Sequence, residues 1–140
     1  MTKPILVALD LGSQKIVSLA NPTADQDAVT KAFIKAFSVG GVILDPSGAR
    51  NVMVWRAPFA CTVTNVRGHR KGGTGATINA RKNQASDHLA AALSLTSADS
   101  WMDGGAVQNT SYAAGDDLEI MLASIAGAVT EIAIQVDFVR

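Results

Sequence analysis

The side chains able to carry chemistry are few and scattered. His69 and His88 stand nineteen residues apart, a spacing that matches no metal-ligand pattern, and both read as surface or loop residues. The single cysteine, Cys61, falls in a strand pattern and reads as a small core residue. Asp116, Asp117 and Glu119 follow Gly115 on a turn. Carboxylates there could take a calcium ion, but the alternating oxygen-ligand loop of such sites is absent, so a solvated turn is expected. Asp99 and Asp103 flank Trp101, whose indole could lie against a sugar ring or anchor a contact between chains. Trp101 and Tyr112 are the aromatics in the candidate ligand loops. No nucleophile stands with a base, and no carboxylate pair is set for acid–base work. The expectation is a protein with no catalytic activity, no metal and no cofactor.

Two glycine-bearing stretches are similar to phosphate loops. Gly68–Thr77, GHRKGGTGAT, resembles the deviant phosphate loop of ParA/MinD-type ATPases at Lys71, Gly72, Gly73, Gly75 and Thr77. Ala76 stands where that loop needs a lysine on the β/γ-phosphates, and the residues that follow alternate like a strand where a helix should open. A glycine-rich hairpin with a basic tip of His69, Arg70 and Lys71 is expected instead. Ile5–Ala20 resembles the first phosphate loop of the actin/Hsp70-like ATPases at Asp10, Gly12, Ser13 and Lys15, but 140 residues cannot supply the two lobes of that fold. Nucleotide binding is therefore not expected.

Composition narrows the remaining classes. Hydrophobic residues make up 48% of the chain, enough for a sizeable core, while 17% charged is low and suggests surface hidden in an oligomer. Twelve basic and twelve acidic residues cancel, and no basic patch points to nucleic acid. One cysteine allows no intrachain disulfide, in keeping with folding in a reducing cytosol. No apolar run approaches the roughly 18–20 residues of a membrane span, and Met1–Leu11 does not read as a signal peptide.

The elements that must position these residues fall into three parts. Residues 1–20 read as an extended arm with two short strands, Ile5–Leu9 and Ile16–Leu19. Residues 21–38 read as a linker and a short α-helix over Ala28–Phe37, with Val29, Phe33 and Phe37 on one apolar face at i, i+4, i+8. Residues 39–140 read as a mainly β domain of eight or so short antiparallel strands at about ten-residue spacing, a β-sandwich. In Asn51–Arg56, Met53 and Trp55 are expected on one face and Val52 and Val54 on the other. Asp87–Ala92 reads as a helical turn or irregular crossing, Ser97–Gly105 as a loop, and Val107–Tyr112 as a strand. Val129–Val139 shows the cleanest alternation, with Ile132, Ile134, Val136 and Phe138 on one face.

Two ordered patterns carry a resemblance. Lys15, Ile16, Leu19, Pro22, Asp27, Ala28, Thr30, Lys31, Ala32 and Phe33 keep the order of a segment found in bacteriophage fibre and appendage proteins. Phe33 replaces the usual tyrosine, and Lys35 reverses an acidic position. Trp55–Phe59, Thr62–Arg67, Lys71–Gly75, Gly115–Ile120 and Ile132–Phe138 follow the order of features in a phage knob domain of jelly-roll type. The resemblance implies a homotrimeric virion protein, assembled in the host cytoplasm, with a jelly-roll-like knob. A capsid decoration or cement protein (head fibre) is expected, anchored to the major capsid protein or other virion subunits by Ile5, Val7, Leu9, Ile16 and Leu19. Val29, Phe33, Phe37, Val52 and Val54 are the expected trimer contacts. The alternative is a tail-fibre tip that meets host surface polysaccharide through Trp101 and Tyr112. Neither reading involves nucleic acid or a membrane.

Overall fold

The structure is a computed structural model that describes Lys35–Arg140. The arm residues Ile5, Val7, Leu9, Ile16 and Leu19, and the contact residues Val29 and Phe33, lie outside the described residues. Ten strands follow in order: β1 (Ala36–Leu44), β2 (Arg50–Arg56), β3 (Cys61–Gly72), β4 (Gly75–Lys82), β5 (Ser86–Asp87), β6 (Leu93–Ser94), β7 (Trp101–Asp103), β8 (Ser111–Tyr112), β9 (Asp117–Ala126) and β10 (Val129–Val139). No helix occurs among the described residues.

The strands form two antiparallel sheets, one ordered β1-β10-β3-β7 with β8 also on β3, the other ordered β2-β9-β4-β5 with β6 also on β4. Alternation explains how the sheets pair. Along β10, Ile132, Ile134, Val136 and Phe138 are buried, while Glu131, Ala133, Gln135 and Asp137 take the other face. Along β9, Leu118, Ile120 and Leu122 are buried, and along β4, Ala76, Ile78 and Ala80. Side chains of both sheets meet in one interior. Val63, Val66, Val136 and Phe138 pack with Ala80 and Leu118, and Ile43, Ile132 and Ile134 with Ile78, Ile120 and Leu122. Each such large aliphatic or aromatic side chain contributes about 1.5–3 kcal/mol before chain entropy is counted.

One end of this interior is aromatic. Phe37 stacks on Phe138 with centroids 5.2 Å apart and planes 9° from parallel. Trp55, Phe59 and Tyr112 close around the pair.

Phe37 therefore corrects the expected helix face. Ala36 and Phe37 belong to β1, where Phe37, Val39, Gly41 and Ile43 point inward and Ser38, Gly40, Val42 and Leu44 outward. A spacing of four fits a helical stripe, but it also fits a strand, and packing on Phe138 decides for the strand. Val52 and Val54, both half-buried, also pack onto the chain's own core. The pairing of β2 with β9 shifts between Met53 and Trp55, leaving Val54 as a bulge, so Val54 and Trp55 both turn inward.

Shorter elements differ too. The expected strand over Val107–Tyr112 contracts to β8, with Val107 held in an isolated bridge to Leu89. The expected loop at Ser97–Gly105 contains β7.

The expected glycine-rich hairpin is instead a tight turn between the two sheets, since β3 pairs with β10, β7 and β8 while β4 pairs with β9, β5 and β6. β3 runs through His69, Arg70 and Lys71, and the chain reverses at Gly72 and Gly73, with φ +69 and +64. A side chain at Gly73 would lie 2.7 Å from the Ala126 carbonyl, so the turn sits close on the β9–β10 connection. β4 follows directly, and no helix opens there.

Candidate functional site

The outer face of the first sheet brings together residues far apart in sequence. Antiparallel register fixes its rows. Ser38, Asp137 and Asn65 lie side by side in one row; Gly40, Gln135, Arg67 and Asp103 in the next; Val42, Ala133, His69 and Trp101 in the third. Small residues in the middle, Gly40 and Ala133, lower the floor. Gly40 must stay small, because a side chain there would run into the Ile134 carbonyl.

Trp101 rises from this face at 54% exposure, beside His69 with ring centroids 5.5 Å apart. Its isolation is informative. Of the four Phe, two Trp and one Tyr in the chain, Phe37, Trp55, Phe59, Tyr112 and Phe138 form the aromatic end of the core. Phe33 lies outside the described residues, and Trp101 alone of the rest stands on the outside. Two hollows flank its indole. One, about 330 Å³, is lined by Gly40, Val42, Ala133, Gln135 and Trp101 among others. The other, about 380 Å³, lies between Arg67, Trp101, Asp103 and Gln135.

The polar groups around Trp101 are held in place by one another. Arg67 Nε donates to Asp103 Oδ1 at 2.7 Å, and Asn65 Nδ2 donates to the same oxygen at 2.9 Å. These two bonds hold the Asp103 carboxyl below its ordinary pKa of 3.8, hydrogen bonding outweighing the opposing desolvation. Gln135 Nε2 donates to Asp137 Oδ1 at 2.7 Å, and Ser38 Oγ donates there at 2.6 Å. Among the described residues, both Nη groups of Arg67, Oδ2 of Asp103 and Oε1 of Gln135 make no hydrogen bond and remain available to a ligand.

The other candidate residues go elsewhere. Tyr112 is 1% exposed and cannot be a ligand-loop residue. Its hydroxyl lies 2.8 Å from His88 Nε2, and His88 is fully buried, which corrects its reading as a surface histidine. Burial pushes the His88 imidazole below 6.5 and the Tyr112 phenol well above 10.

The expected basic tip is also corrected. Arg70 is 2% exposed, and its guanidinium donates to the carbonyls of Leu95, Thr96, Gly72 and Gly73. His69 is half-buried in β3, and Lys71 is exposed.

Asp116 caps its own turn, accepting from Asn83 Nδ2 and the Ala113 amide, both at 2.8 Å. Those bonds lower its pKa and occupy both oxygens. Glu119 is 7% exposed and its Oε2 has no hydrogen-bond partner among the described residues. No group of three or more His, Cys, Asp or Glu able to hold a metal ion occurs among the described residues. Cys61 is buried, and desolvation raises its thiol pKa, as for an unreactive core cysteine.

Sequence reasoning found Trp101 and Asp103 but missed Gly40, Arg67, Ala133 and Gln135. They sit on three strands, and only the register of β1, β10 and β3 places them together. The signal was present in part, as alternation in β10 put Ala133 and Gln135 on the outer face. No protein-family model, curated protein or solved structure matches the chain.

Proposed function

We propose that the chain is a structural protein of a bacteriophage virion: a homotrimeric capsid decoration or cement protein, a head fibre, whose N-terminal arm binds the capsid and whose β domain forms an outward knob. The observation that carries this reading is the strand order. The first and last strands lie side by side in one sheet, and the second and the penultimate in the other. The chain crosses between sheets at β1–β2, β2–β3 and β3–β4, and again at β6–β7, β8–β9 and β9–β10. This interleaving supports a jelly roll, an architecture used by viral capsid domains, and it agrees with the knob resemblance of Trp55–Phe138.

In this reading the protein works by contact area. With Phe37, Val52 and Val54 packed onto the chain's own core, the contacts between copies fall to Val29 and Phe33, with the exposed Leu44 and Met53 at the strand edges of the knob. The alternative, a tail-fibre tip that meets host polysaccharide, shares the trimer and differs in position on the particle.

Immunogold labelling of intact virus with antibody to this protein tests the proposal. Label spread over the head is the expected result. Label confined to the tail replaces decoration with the fibre reading, and particles without label overturn both.

A further inference from the structure

We infer that the outer face of the β1-β10-β3-β7 sheet is a binding site for a neutral glycan, with a sugar ring set against Trp101 and its hydroxyls met by Arg67, Asp103 and Gln135. The inference deepens the polysaccharide alternative given above, naming the class of glycan and the residues that meet it, and it is independent of whether the domain is carried on a head or a tail.

The chemistry of a pyranose is two-sided. Its axial C–H face is apolar, and its rim carries hydroxyls that both donate and accept. The trough has the same division. Trp101 offers a half-exposed indole, an apolar surface with no partner among the described residues other than His69 at its side. Gly40 and Ala133 form a floor low enough for a ring to stand beside that wall. At the polar end, Arg67 presents donors, while Asp103 Oδ2 and Gln135 Oε1 present acceptors. The two Nη groups of Arg67 can donate to neighbouring sugar hydroxyls, while Asp103 Oδ2 and Gln135 Oε1 accept from others. Their orientation is fixed already: Asn65 and Arg67 hold Asp103, and Asp137 holds Gln135. Little freedom is lost on binding.

Charge separates a glycan from the other occupants. Arg67 is the cation at the polar end, beside Asp103 at 2.7 Å and Asp137 at 3.6 Å. One cation between two carboxylates repels a phosphate or a polyanion, so a nucleotide or an acidic polysaccharide is disfavoured. The hollows of about 330 and 380 Å³ beside the indole are open to solvent, which suits a ring laid on the sheet rather than one enclosed in a cleft. Their common wall of Trp101 and Gln135 suits consecutive units of an oligosaccharide.

The test is affinity electrophoresis of the full chain through gels containing dextran, mannan or galactomannan, with alginate as the acidic control. The expected result is retardation by at least one neutral polysaccharide and none by alginate. Trp101→Ala should weaken that binding by about tenfold or more, as loss of a central aromatic anchor does. Ala133→Leu raises the floor while leaving the indole in place and should weaken it similarly. Thermal melts of both variants check that the fold survives, since neither side chain is in the core. Failure of all three neutral polysaccharides to retard the chain overturns the inference, as does retardation by alginate alone or binding unaffected by Trp101→Ala. A fall in sedimenting mass on Trp101→Ala, with no glycan retained, assigns the face to contacts between copies instead.

Discussion

His88 Nε2 and Tyr112 Oη lie 2.8 Å apart, and neither side chain reaches water. On its other side, His88 Nδ1 is 3.3 Å from the Gln108 carbonyl, which can only accept. Nδ1 therefore carries the proton, and Nε2 accepts from the tyrosine hydroxyl. The pair joins the segment before Leu89 to β8 and closes one edge of the core. Removing the hydroxyl leaves a buried acceptor without a donor. Tyr112→Phe should cost about 1–3 kcal/mol, read as a lower midpoint in chemical denaturation. An unchanged midpoint would mean that water reaches Nε2.

The same pair sets a pH dependence. Burial holds His88 below its ordinary 6.5; Lys82 also lowers it, and the Gln108 carbonyl and Asp87 oppose the shift. The unfolded chain then binds a proton more readily than the folded one, so stability rises with pH in the window between the folded and unfolded values. The contribution is complete above about 6.5, is lost as pH falls from there toward the folded pKa, and levels off below it. Denaturation at a series of pH values should show this slope, and His88→Gln should flatten it. An identical slope in the variant would place the proton elsewhere.

Much of this architecture was legible as alternation. Ile132–Phe138, Leu118–Leu122 and Ala76–Ala80 face inward in the pattern their sequence shows, because a half-buried strand leaves a two-residue period. Other features needed information that local pattern lacks. Phe37 fits either period, and its contact with Phe138 is set by residues near the far end of the chain. Trp55 departs from strict alternation because of the bulge at Val54. Arg70, in a run of glycines and cations, gives no sequence sign that four carbonyls surround it. The trough at Trp101 is a product of register across four strands.

Arg70 should be a structural residue of the β3–β4 turn. Its Nε bonds the Leu95 carbonyl at 2.9 Å, and its terminal groups bond Gly73 at 2.8 Å, Thr96 at 3.1 Å and also Gly72. The guanidinium fork spans these acceptors, whereas a lysine ammonium cannot reach all of them. Arg70→Met should lower stability by about 2–3 kcal/mol, the worth of charge-assisted hydrogen bonds, and Arg70→Lys should recover only part. Full rescue by lysine would show that charge, not the planar fork, holds the segment.

Phe37 separates a core role from an interface role. It is half-buried, stacked on Phe138 and edge-on to Trp55 and Phe59. Phe37→Ala should cost about 2–3 kcal/mol, less than the roughly 3–5 of a fully enclosed phenylalanine. Sedimentation should show the same oligomeric mass as the parent. Dissociation without loss of thermal stability would return Phe37 to a contact between chains.

Deleting residues 1–34 tests the division of labour directly. Lys35–Arg140 contains both sheets and both core clusters, and β1 begins at Ala36. Among the described residues, those clusters are built from side chains of Phe37 onward. The fragment should therefore melt cooperatively, within about 1 kcal/mol of the full chain, as a single domain with its own core does. If the arm is the anchor, the folded fragment should fail to co-sediment with virus particles that bind the full chain. It should keep its polysaccharide retention if the Trp101 face is self-contained. A fragment that is folded and still binds particles fully removes the arm from attachment and moves the capsid contact into the knob. A fragment that does not fold shows that residues 1–34 complete the core.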